Sequence, residues 1–103
     1  MATGVTQYAG RDRAYSVPTT APVYIDMLPF GIPSTVTAIP GASGSLAIAA
    51  STTPGAAGNP GAATWVNWTP GTVTAATSQT LASPVTAIRA TATTAAGSVE
   101  IVG

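Results

Sequence analysis

The chain has 103 residues, with three basic and three acidic side chains and a formal net charge of zero. It has no cysteine and no histidine, which excludes disulfide staples and the usual zinc sites. Arg11, Arg13 and Arg89 are too few for a phosphate-binding footprint, and no stretch is apolar for the length of a bilayer span.

Residues 1–33 hold most of the aromatic and charged side chains, set among Pro18, Pro22, Pro29 and Pro33. Each proline removes a backbone donor and pushes the preceding residue toward extended geometry. This segment reads as an extended N-terminal arm, with residues 23–26 a short piece able to add to a sheet edge. Ordering an arm costs roughly 1.5 kcal/mol per residue. The expectation is therefore an arm that orders on a partner. The start, Met1 to Gly4, has neither a basic n-region nor an apolar h-region, so synthesis in the cytoplasm is expected.

At Ser34 the grammar changes to short Thr/Val/Ala runs broken by Gly and Pro. Residues 34–39 and 45–49 predict two strands about a turn at 40–44, with Leu46 and Ile48 on one face. Residues 53–63, rich in Gly, Pro and Ala, read as a long flexible connection or lid. Further strands are expected at 63–69, weakly at 72–75 and 80–82, then at 85–93 and 98–102 about a turn at 94–97. Alanine favours helix, but interleaved threonine and valine and frequent turns oppose it. The fold class is all-β: a small antiparallel β-sandwich or barrel-like module over 34–103, preceded by the arm.

Residues 34–39 echo residues 83–88, and each run is followed by a turn and a Gly-Ser start, at Gly44 and Gly97. The pattern suggests two similar hairpins. Much of the 46% hydrophobic content is alanine, so the private core is thin and self-association, as a trimer or dimer, is expected.

No histidine or cysteine is present to serve as a general base or paired nucleophile, and Asp12, Asp26 and Glu100 are scattered. No catalytic residue, metal or cofactor is assigned, and the chain reads as a non-enzyme. The candidate residues are for partner binding. Arg11, Asp12 and Arg13, bracketed by Tyr8 and Tyr15, combine arginine and tyrosine as interface hot spots do. Tyr24 and Phe30 continue the arm, as further contacts or as a cover for the module's own core. Trp65 and Trp68, three apart on an expected strand, point to opposite faces. One is expected in the core and the other toward a partner, and Trp68 joins the partner-binding set. Arg89 is expected to pair with Glu100 across the last hairpin.

Residues 69–93 and 97–103, with the phrase Pro84, Val85, Thr86, Ala87, Ile88, Arg89 and the ending Gly97 to Ile101, resemble small virion structural proteins of tailed bacteriophages. The resemblance implies a short Thr/Ala/Gly-rich β domain that decorates or cements the capsid, or contributes to head or tail fibres. Together with the arm it implies a cement protein at the virion's capsid surface. Its partners would be the major capsid protein and further copies of itself, with neither nucleic acid nor membrane. Two other classes stay open: a head-fibre, neck or tail-associated module, with or without host contact, and a free glycan- or protein-binding sandwich.

Overall fold

A computed structural model describes residues 5–7, 13–27 and 33–103. It is all-β, two antiparallel sheets packed face to face. Sheet I has the order β1-β2-β9-β4-β7, from β1 (Val5–Gln7), β2 (Arg13–Val17), β4 (Ser34–Ile39), β7 (Thr77–Leu81) and β9 (Gly97–Val102). Sheet II has the order β3-β8-β5-β6, from β3 (Val23–Asp26), β5 (Ser45–Ser51), β6 (Val66–Asn67) and β8 (Ala87–Thr93). No ladder between the described strands joins the two sheets, so the fold is a sandwich and not a closed barrel.

Alternation decides which side chains meet. Tyr15, Val17, Val36, Ala38, Val99 and Ile101 point inward from sheet I. Val23, Ile25, Leu46, Ile48, Ile88 and Ala90 point inward from sheet II. Val17, Val36, Leu46, Val99 and Ile101 are fully enclosed. Each such aliphatic side chain contributes roughly 1.5–3 kcal/mol by leaving water.

The described part of the expected arm is not an arm. β2 pairs with β9 through Tyr15↔Val99 and its neighbours, and β3 pairs with β8 through Ile25↔Ile88. Strands on both sides of position 33 therefore belong to the same two sheets. The physical reason is visible in the spacing. Val23, Ile25 and Met27 alternate inward, and the nearby prolines sit at strand ends, where no ladder donor is needed. The surface that orders residues 13–27 is the rest of this chain.

The expected hairpins are also different in kind. β4 lies in sheet I and β5 in sheet II, while β8 lies in sheet II and β9 in sheet I. Each turn carries the chain from one sheet to the other, so both units are arches. The arches pair with one another, β4 with β9 and β5 with β8. Exchanging the sheets maps one arch onto the other. The sequence echo follows this relation only in the second strands. Val36 faces Ile101 and Ala90 faces Ile48, so the ladder counterpart of Val36 is Ala90 and not Val85.

The two arch turns press together at one end of the sandwich. A Cβ on Gly97 would lie 2.7 Å from the Ile39 carbonyl oxygen and 3.0 Å from Leu46 Cδ1. One on Gly41 would collide with the Ala96 carbonyl oxygen. Each turn also holds a non-glycine residue in the left-handed region, Ser43 at φ 62° and Thr94 at φ 75°. For a β-branched threonine that geometry is strained.

The other expected strands shrink or shift. Of 63–69 only Val66–Asn67 pairs as a strand, and 72–75 contributes a single bridge, Leu46↔Val73. The expected strand at 80–82 begins earlier, at Thr77.

Candidate functional site

Along β5 and at the start of β8, the outward face of sheet II is built from small residues. Ala47 and Ala49 from β5 and Ala87 from β8 point away from the core by strand parity, yet Ala49 and Ala87 are 3% and 0% exposed. Segment 52–65 lies across them. Alanine at these positions leaves a floor low enough for a backbone to approach closely.

That segment is tied down. The Thr86 hydroxyl is shared between the carbonyl oxygens of Thr53 at 2.7 Å and Ser51 at 3.1 Å. Thr53 N–H donates to Ser51 Oγ at 3.0 Å, and Thr64 N–H donates to Thr53 Oγ1 at 3.1 Å. The segment contains a 3-10 turn at Pro60–Ala62, and Ala56 within it is buried. Residues 53–63 are thus anchored through Thr53 to Ser51, Thr64 and Thr86. Beside it a hollow of about 120 Å³ is lined by Asp26, Thr86 and residues 55–58.

The same segment delivers Trp65. Its indole Nε1–H donates to the Pro60 carbonyl at 3.1 Å, which fixes the ring. Tyr24 and Arg89 are direct cross-strand partners on this face. The Arg89 guanidinium carbon lies 5.3 Å from the Trp65 ring centroid, and the Tyr24 ring lies 5.6 Å from it, tilted by 46°. A guanidinium over an indole face is attracted by the ring quadrupole. Tyr24 is 38% exposed, while Trp65 and Arg89 are half-buried beside it.

Chemically the cluster is adhesive. It offers planar apolar area, a phenol and a guanidinium, the groups that dominate the centres of protein interfaces. Among the described residues no three His, Cys, Asp or Glu side chains gather as a metal site. Asp26 and Glu100 point outward from different sheets, so they do not form a facing carboxylate pair.

Of the sequence-predicted residues, Tyr24 is in this cluster. Tyr15 is 9% exposed and Trp68 is 7% exposed, and both belong to the core. Trp68 Nε1–H donates to the Gly71 carbonyl at 2.6 Å, so its polar end is also satisfied within the fold. Arg13 is half-buried on β2, opposite Ile101. Tyr8, Arg11, Asp12 and Phe30 lie outside the described residues.

Trp65 and Arg89 were not in the predicted set. The three-residue spacing of the tryptophans does separate their surroundings, with Trp68 inward and Trp65 against the outer face. The Arg89–Glu100 pair does not form. β8 and β9 are in different sheets, and the two side chains leave opposite faces of the sandwich. Comparison of the chain with protein families, with characterised proteins and with solved structures finds no match.

Proposed function

We propose that this chain is a non-enzymatic capsid decoration, or cement, protein of a tailed bacteriophage, seated across neighbouring major capsid subunits and stabilising the shell. The observation that carries the reading is the Tyr24–Trp65–Arg89 cluster, an adhesive centre on a described exterior that is rich in Ser, Thr, Ala and Gly and sparing with charge. Sheet I supports it from the other side. Its outward residues Ser16, Thr35, Thr37, Ser78, Thr80 and Ser98 make a nearly uncharged face, with Glu100 the ionised group among them. A surface this poor in charge suits a protein covered by neighbours in an assembly. The protein would be made in the host cytoplasm and reside on the capsid surface, in contact with the major capsid protein and with copies of itself. The reading invokes neither nucleic acid nor membrane.

A head-fibre, neck or tail-associated module is the second reading, favoured by the long Gly/Pro-rich 52–65 segment that carries Trp65. Copy number separates the two. Stepwise dissociation of purified particles, with quantitation of each released protein, should yield this chain in many copies together with the head shell. A few copies confined to the neck or tail overturn the cement reading and favour the second.

A further inference from the structure

β7 is the outermost strand of sheet I, paired on one side with β4 from Ser34↔Leu81 to Ala38↔Thr77. Among the described residues no backbone hydrogen bond leaves Thr77–Leu81 on its other side. Open edges are ordinarily blunted by charge, proline, a bulge or brevity. The other edge strands follow that rule. β1 has three residues and β6 two, while β3 has four, ends in Asp26 and follows Pro22. β7 has five residues, Thr77, Ser78, Gln79, Thr80 and Leu81, with no charge and no proline.

The side chain at its centre, Gln79, shares the inward face with Val36. Gln79 Nε2 donates to Thr69 Oγ1 at 3.2 Å, but Gln79 Oε1 is buried with no hydrogen-bond partner among the described residues. An unsatisfied buried acceptor costs about 1–3 kcal/mol. Gln79, Leu81, Val85, Val66 and Trp68 line a cleft of about 260 Å³ where the two sheets part. Val66, on its rim, is 65% exposed.

We propose that β7 is a self-association edge. Two copies pair β7 to β7, antiparallel, about a two-fold axis through Gln79, and their two sheets I become one continuous sheet. In this register Gln79 faces Gln79 of the second copy, and Ser78 faces Thr80 of the second copy. Directly opposed residues on one face lie about 4.5–5.5 Å apart at Cβ. This register pairs all five residues of each strand, Thr77 with Leu81 as well as Ser78 with Thr80, while Gln79 Oε1, enclosed by its own chain, takes no part. The strand is its own complement, because no charge on it opposes a like charge. The inference concerns free protein and stands apart from the capsid reading.

The test is sedimentation of the full chain over a concentration series, with circular dichroism to check folding. The wild type should show a reversible monomer–dimer equilibrium. Ser78 and Thr80 are exposed, so charge is tolerated there in the monomer. S78K/T80K sets lysine opposite lysine twice and should weaken association by about tenfold or more. S78K/T80E sets lysine opposite glutamate twice and should restore it to within about threefold, now weakened by salt. A wild type that is monomeric throughout overturns the proposal. So does S78K/T80K that associates undiminished. Folded variants that both lose association overturn the antiparallel register through Gln79.

Discussion

Arg89 and Trp65 meet across the outer face of sheet II, the guanidinium carbon 5.3 Å from the ring centroid, one residue from a central strand and the other from the segment laid over it. The contact joins the lid to the sheet and leaves Tyr24 exposed at its side. Arg89→Ala should lower stability by only about 0.5–1 kcal/mol, the worth of a partly exposed cation–π contact. Chemical denaturation followed by tryptophan fluorescence reads both the loss and the change around Trp65.

Attachment should respond far more than stability. If the cluster is the centre of the docking surface, Trp65→Ala and Tyr24→Ala should each weaken binding to particles by about tenfold or more, as hot-spot truncations do. A co-sedimentation assay with decorated and stripped particles measures it. Binding that survives both substitutions places the contact elsewhere.

The close approach of the arches predicts a contrast between two glycines. Gly97→Ala drives a methyl group into the Ile39 carbonyl and Leu46 and should cost at least about 1–3 kcal/mol. At Gly61 a Cβ meets nothing within 4 Å and φ is not left-handed. Gly61→Ala should therefore be neutral within about 0.5 kcal/mol. Thermal or urea unfolding of the pair gives the comparison directly.

Thr94 predicts the opposite sign. At φ 75° its β-branched side chain opposes the left-handed backbone, a geometry that costs an L-residue roughly 1–2 kcal/mol. Thr94→Asn, which tolerates that region better, should stabilise the fold by about 0.5–1 kcal/mol. An unchanged or lower midpoint in urea contradicts the strain.

Residues 1–16 should prove indispensable to folding. Their removal takes Tyr15 and most of β2 away from β9, leaving that strand's backbone unpaired on one side. Ile25→Ala, in β3, should cost about 2–5 kcal/mol through the truncation of a fully buried side chain. A truncated chain with an unchanged circular dichroism spectrum and melting point contradicts the integrated fold.

What the sequence disclosed was local. The alternation of Leu46 and Ile48, and of Val99 and Ile101, marks strands because period-two burial is written residue by residue. Whether the turn between two strands closes a hairpin or an arch is decided by which sheet buries each inner face, and Gly44 and Gly97 look alike in either case. β2 and β3 look like an arm in sequence because prolines near their ends mask the alternation of Val23, Ile25 and Met27. Trp65 and Arg89 come together through a loop and a strand whose placement no spacing in the chain encodes. The alanines that admit the loop look like filler in sequence and are the floor of the site in the fold.

The central claim is that the Tyr24–Trp65–Arg89 face docks on the capsid shell. Hydroxyl-radical footprinting of free against particle-bound protein tests it most directly, with Trp68 as the internal reference because it is 7% exposed within the fold. The account predicts that oxidation of Trp65 and Tyr24 falls several-fold on the particle while Trp68 stays slow in both states. Equal oxidation of Trp65 and Tyr24 in free and bound protein would contradict it.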